Sequence, residues 1–331
     1  MTRYAIYFVP APQTQLAAFG AHAIGYDVAA GAEVPFHEDD AFRALGPGGW
    51  TRSPARYGFH ATLKAPFELA EGATEKGLEE AVRDLARGIA PVQLGMLAVT
   101  ALGGFIALTP KGDASAVDAL AAACVEAFEA FRAPLPPADR DRRLAAGLTD
   151  RQAENVERWG YPYVFDEFRF HMTLTGCIDD AALRKRVHET LAALYAAVDV
   201  PHTIDALTIC RQPDRDSHFT VFNAPFTMNF ANGSGGAIHA NTGSTFSLSR
   251  STLAGNTAGA KGGAIHSSGE FSLTNTVLVG NEAEDQGGAV YGGGGILLLT
   301  NTTVAGNAAD EGGGAYIHAG TATVNNSIVA L

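Results

Sequence analysis

The sequence predicts a duplicated α+β domain over residues 1–226, followed by a short parallel β-helix over residues 227–331. Three observations carry this reading. The stretch FHATL at 59–63 returns as FHMTL at 170–174, and each copy is followed by a helical pattern and then by strand patterns. Composition changes abruptly near residue 226: the last 105 residues hold 21 of the 38 glycines and only two basic side chains, Arg250 and Lys261. Within that tail one short unit recurs at a nearly fixed period.

The first strand is RYAIYFV at 3–9, where apolar and polar residues alternate. GFHATLKAPF at 58–67 is the second. A helix follows from about Thr74 to Gly88, acidic early and carrying Arg83 and Arg87 late, as the helix dipole favours. Residues 92–110 then give two strands around the Gly103-Gly104 turn. The second half repeats the order. EFRFHMTLTG at 167–176 is a strand, residues 179–198 form a helix with an acidic start, and residues 202–226 give two strands around Pro213–Asp216. Helices at Ala114–Arg132 and Asp150–Trp159 fill the gap between the halves. The order strand–helix–strand–strand, given twice, predicts two sheets facing each other, with the FHxTL strands at equivalent places around one groove.

In the tail, Gly-Gly-Ala plus an apolar residue begins at Gly235, Gly262, Gly287 and Gly313, and Gly-Asn recurs at Gly255, Gly280 and Gly306. Short alternating stretches lie between, so the unit reads as one coil of a solenoid with about four coils in all. The chain ends at NSIVAL, partway through a further unit, and no cap is evident. That ending reads as a fragment, a fusion or an artificial join. The repeats resemble the right-handed parallel β-helix repeats of polymorphic outer-membrane-protein type.

Histidine followed two residues later by Ser or Thr is a common spacing: five of the ten histidines have it, namely His60, His171, His188, His218 and His266. His188 falls in a helix, where a step of two does not share a face. His266 lies in a repeat whose counterparts, His239 and His318, lack the hydroxyl, and His218 stays as a third candidate. His60 and His171 differ because their whole contexts match. In each strand the histidine and threonine share one face, while Phe59, Ala61 and Leu63, or Phe170, Met172 and Leu174, share the other. The apolar face anchors the strand and the polar face meets a cleft. Alternation aims Lys64 and Arg169 at the same cleft, and Tyr57 and Arg56 stand beside the first motif. Arg3 and Tyr7 on the first strand are further candidates.

RYAIYF near the start, RYGFHATLKAPF at 56–67 and FRFHMTLTG at 168–176 resemble the paired His-x-Thr motifs of the two-histidine (2H) phosphoesterases. They are similar to one branch of these enzymes, the family encoded beside phosphonate-utilisation genes in bacteria. The resemblance covers roughly residues 2–226 and implies metal-independent cleavage of a small phosphodiester, often a cyclic one, with no cofactor. It implies catalytic roles for His60, Thr62, His171 and Thr173. The residues suit that chemistry: an imidazole titrates near neutrality, so one ring takes a proton while the other gives one. Threonine hydroxyls donate to the non-bridging oxygens. Two other readings are a catalytically idle module that holds a nucleotide or phosphosugar, and a surface β-helix that binds carbohydrate or adheres, with the first domain as passenger.

Composition narrows the partners. A net charge of −12 disfavours the phosphate backbone of duplex nucleic acid, although a small anion can bind in a locally positive pocket. The three cysteines, Cys124, Cys177 and Cys210, have no metal-ligand spacing, and no metal site is expected. No membrane span and no signal peptide can be recognised, which predicts a cytoplasmic protein.

Overall fold

The computed structural model describes residues 1–11, 14–198, 200–222, 226–227, 230–249 and 251–330. The chain forms two compact units, Met1–Phe222 and Asn223–Leu331. The boundary expected after Phe226 falls among residues 223–225 and 228–229, which lie outside the described residues, as does Arg250. Among the described residues no helix is long and apolar enough to cross a membrane.

The first unit contains β1 (Arg3–Phe8), α1 (Gln15–Ile24), β2 (Tyr26–Asp27), β3 (Ala32–Glu33), α2 (Asp40–Ala44), α3 (Arg52–Tyr57) and β4 (Ala61–Phe67). There follow α4 (Glu75–Arg87), β5 (Val92–Gly95), β6 (Leu97–Leu102), β7 (Phe105–Pro110) and α5 (Ser115–Ala127). The chain continues with α6 (Pro137–Leu144), α7 (Asp150–Trp159), β8 (Met172–Thr173), α8 (Ala181–Tyr195), β9 (His202–Ile204), β10 (Thr208–Gln212) and β11 (Thr220–Val221). Local chemistry sets the helix ends. Thr74 accepts from the Gly77 N–H at the start of α4, and Thr149 with Gln152 forms a reciprocal capping box on α7. Gly160, left-handed at φ 73°, closes α7.

Two facing sheets were expected; the strands form one seven-stranded sheet instead, in the order β11-β10-β1-β4-β8-β7-β6. The halves interleave: β4 pairs directly with β8, antiparallel, through Ala61 and Met172, while β7 and β6 of the first half lie beyond β8 and β10 and β11 of the second lie beyond β1. Each half runs strand, helix and then three strands, since Gly95 (φ 71°) separates β5 from β6. The extra strands β5 and β9 also pair with each other, as a small second sheet. The strand expected at 167–176 shrinks to the two ladder residues of β8, because residues 165–167 wind into a 3₁₀ turn with Phe165 at φ 55°. Helices α1, α2, α3 and α6 lie outside the elements expected from the sequence.

The inward faces of β4 and β8 sit in one apolar core. Phe59, Ala61, Leu63, Phe170, Met172 and Leu174 are all buried there, and Met172 and Leu174 are wholly enclosed. Fully burying side chains of this size is worth about 1.5–3 kcal/mol each. Gly20 in α1 has no side chain because Phe59 fills the space: an added Cβ would stand 1.9 Å from its ring.

The second unit is a parallel β-solenoid of about four turns. Coils stack in register, with Ile238, Ile265, Val290 and Ala315 in one column and Phe246, Phe271, Leu297 and Ala322 in another. At one corner Asn275, Asn301 and Asn326 adopt left-handed backbone, φ 52°, 50° and 46°, which asparagine tolerates better than most residues. Inside, Asn256, Asn281 and Asn307 form a buried ladder. The Asn281 amide donates to the Leu253 carbonyl (2.9 Å) and to Asn307 Oδ1 (2.8 Å), while its own oxygen accepts from Asn256.

Removing the central rung should therefore cost far more than trimming the surface. We expect Asn281→Ala to lower solenoid stability by about 2–4 kcal/mol, because several buried polar groups lose partners. Thr323→Ala, on the exposed face, should stay within about 0.5 kcal/mol. Denaturant midpoints of the two variants, compared with the parent chain, check this.

Candidate functional site

The pairing of Ala61 with Met172 fixes the site. In an antiparallel pair, one step along the register sets Thr62 across from His171, and one step back sets His60 across from Thr173. All four side chains share the face opposite to the buried apolar set and are partly exposed. The two His-x-Thr motifs are thus crossed: each histidine stands beside the other motif's threonine.

Both imidazoles are held in the same way. Nδ1 of His60 donates to the Gly58 carbonyl at 2.8 Å, and Nδ1 of His171 donates to the Arg169 carbonyl at 2.8 Å. A carbonyl only accepts, so each contact places a proton on Nδ1 and leaves Nε2 for chemistry. The Gly58 carbonyl is aimed by a backbone that a side chain would disfavour, φ 76° and ψ 171°, and a Cβ there would lie 2.3 Å from Val28. Nε2 of His60 lies 3.2 Å from Thr62 Oγ1, and the hydroxyl donates to it in this tautomer.

The two rings have different surroundings. His60 stacks on Tyr7, centroids 3.7 Å apart and planes 23° apart, and lies 6.5 Å from Tyr57, which itself stacks on Phe219. Desolvation pushes its pKa down to about 4, and the nearby His171 pushes the same way, against the Gly58 hydrogen bond. His60 is therefore neutral at pH 7. His171 lies tilted against Phe105 (centroids 5.8 Å apart) and lines a cavity of about 440 Å³ together with Thr62 and Arg169. Phe105, Tyr161, Tyr163 and Phe168 supply much of its wall.

The remaining expected residues separate. Arg169 reaches this cavity, its guanidinium braced on the Asp166 and Phe168 carbonyls. Lys64 does not line it. The β1–β4 register slips between Ile6/Lys64 and Tyr7/Thr62, a bulge that puts two β4 residues against one. Alternation fails beyond Thr62: Leu63 and Lys64 are both buried, and Lys64 Nζ is 2.9 Å from Glu129 and donates to the Val125 carbonyl. Arg56 is exposed, and its carbonyl accepts from the Phe219 N–H. His218 stacks on Tyr26 (4.6 Å), and the His188 ring meets the Val99 carbonyl. Tyr161 and Tyr163, from GYPY after α7, and Phe105 at a hairpin turn were not anticipated. Their signal was an aromatic pair around a proline just beyond a helix-ending glycine.

The His60 shift has a sign that can be checked. Its pKa falls from the ordinary 6.5 to about 4 on folding, so between those values the unfolded chain binds the extra proton. Stability from this group is full above pH 6.5 and is lost as pH falls toward 4. In a proton NMR titration of the native protein, His60 should show no protonation step between pH 8 and 5.5. A midpoint near 6.5 would show that the ring is solvated.

Residues 62–220 match the family model described as "Protein of unknown function (DUF1045)", a span that takes in Thr62, His171 and Thr173. Residues 250–268, in the solenoid, match the Chlamydia polymorphic membrane protein repeat. Two curated proteins named "Ribose 1,5-bisphosphate phosphokinase PhnN" are similar. The one from Janthinobacterium sp. (strain Marseille) is 38% identical over 218 residues, 64% of this chain and 48% of that protein. The one from Laribacter hongkongensis (strain HLHK9) is 35% identical over 226 residues, 66% of this chain and 50% of that protein. The chain spans about half the length of the curated relatives it matches. By these matches the first unit is similar over residues 62–220 to the DUF1045 family, and the parallel β-solenoid is similar over residues 250–268 to the Chlamydia polymorphic membrane protein repeat.

Proposed function

We propose that the first unit is a phosphoesterase of the two-histidine type, which opens a small phosphodiester, in particular a cyclic one, by general acid–base catalysis. The observation that carries this reading is the crossed pair: two anchored imidazoles and two threonine hydroxyls on one face of adjacent central strands. Phosphorus in a diester needs a nucleophile on one side and a protonated leaving oxygen on the other, and a matched pair of rings supplies both.

His60, kept neutral by burial, is the base in the hydrolytic direction. Its Nε2 takes a proton from water as the water oxygen bonds to phosphorus. His171, in its protonated form, gives the Nε2 proton to the departing ester oxygen, so the P–O bond breaks without releasing an alkoxide. Charge balances: one proton enters at His60 and one leaves at His171. The bound phosphate's negative charge raises the proton affinity of His60 just when it must act. Once water takes its place at His60 Nε2, the Thr62 hydroxyl turns from the ring and, with Thr173, donates to the non-bridging oxygens, whose charge Arg169 at the cavity wall offsets.

The named relatives favour a second reading, ATP-dependent phosphoryl transfer. This chain contains no Gly-Lys dipeptide, so the phosphate-cradling loop ending in Gly-Lys-Ser/Thr is not among its motifs. The PhnN name of the relatives supports phosphonate-related phosphoryl chemistry for the first unit.

One screen separates the readings. The full chain is assayed with EDTA against nucleoside 2′,3′-cyclic phosphates and ribose cyclic phosphates, and with ATP and Mg²⁺ against ribose 1,5-bisphosphate. We expect ring opening in the first arm and a fall of at least about 10²-fold in kcat for His60→Ala or His171→Ala. ADP formation without ring opening would establish the kinase reading instead.

A further inference from the structure

Beside the histidine cavity lies a second, strongly positive recess. In a chain with net charge −12, this one small space is lined by Arg3, Lys64, Arg132, Arg143 and Arg215, against the carboxylates of Glu68 and Asp139. Three of these cations are neutralised. Lys64 and Arg132 share Glu129, and Arg215 pairs with Asp139 and Glu68. Arg3 and Arg143 are different: among the described residues no carboxylate lies within ion-pair distance of either.

Neutral groups hold both guanidiniums in place. Arg3 donates through Nε to Gln212 Oε1 (2.8 Å), with Nη2 on the same oxygen, and lies over the Phe219 ring at 5.6 Å. Arg143 donates to the Gly160 carbonyl and lies over Tyr161 at 5.6 Å. A guanidinium has five N–H donors, so each keeps some unused. Burial lowers the Arg143 pKa, and Arg142 and Arg3 add to that, against Tyr161 and Asp139. Asp139 also acts on Arg143, but its carboxylate is already engaged by Arg215 and Arg142.

The recess adjoins the catalytic cavity. Ala65, Val125, Tyr161 and Val164 line both spaces, and β4 passes from Thr62 in one to Phe67 in the other. The free space of about 30 Å³ admits the oxygens of a terminal oxyanion but not a sugar or a base. We propose that Arg3 and Arg143 bind a terminal phosphate of the substrate whose diester meets His60 and His171. The substrate is then a cyclic phosphodiester that also carries a phosphomonoester. This rests on the phosphoesterase reading above.

The test uses the full chain and a matched pair of compounds, a nucleoside 2′,3′-cyclic phosphate and the same compound with a 5′-phosphate. The parent protein should prefer the 5′-phosphorylated compound at least tenfold in kcat/KM, through KM. Arg143→Gln and Arg3→Gln should each erase that preference, with kcat on the unphosphorylated compound unchanged, and Arg143→Lys should keep part of it. Equal losses on both compounds, or no preference in the parent, would overturn the proposal. Calorimetry with orthophosphate in the His171→Ala background decides the site without turnover. Adding Arg3→Gln, or Arg143→Gln where it folds, should weaken binding at least tenfold. Unchanged binding sinks the site, whereas inactivity of the parent on both compounds sinks only the phosphoesterase reading.

Discussion

The first unit depends on one backbone pairing, Ala61 with Met172. That contact joins the two halves into one sheet, buries the apolar sides of both motif strands in a common core, and brings four polar side chains to a single face. A one-residue slip would exchange the faces, putting histidines into the core and Leu63 and Met172 into water. The packing that stabilises the fold is therefore also what aligns the site. Electrostatics follows from it: the ring deeper in the sheet loses its proton, while its partner lies at the cavity.

How much of this was legible in the sequence varied with the range of the physics involved. Strand β1, helices α4, α7 and α8 and the hairpin at Gly103-Gly104 were readable because periodicity, caps and turns are local. The burial of Phe59 and Met172 opposite the histidines was readable because alternation holds there. Sheet layout was not. Whether two matched halves face each other or join at their central strands depends on edge pairing between residues more than 100 positions apart, which no local pattern encodes. Lys64 failed for a related reason. A bulge is decided by the neighbouring strand, and it broke the alternation that aimed Lys64 at the cleft.

The aromatic wall and the arginine recess were hidden differently. Tyr161, Tyr163 and Arg143 come from the segment between the halves, which has no counterpart in the duplication and gave no repeated signal. A matched pair of motifs marks the chemistry that both halves share, and the residues that select a substrate can then come from the unmatched segment.

The solenoid has a property of another kind. Its coils stack with like side chains in register, apolar on apolar and asparagine on asparagine, so each coil meets its neighbour through a similar surface. Gaining or losing a whole coil would keep the register, with apolar residues still on apolar ones and the asparagine ladder still in line. Recombination between repeats can therefore lengthen or shorten this unit in whole steps of 25–27 residues, while a deletion of part of a coil would put every later ladder out of phase.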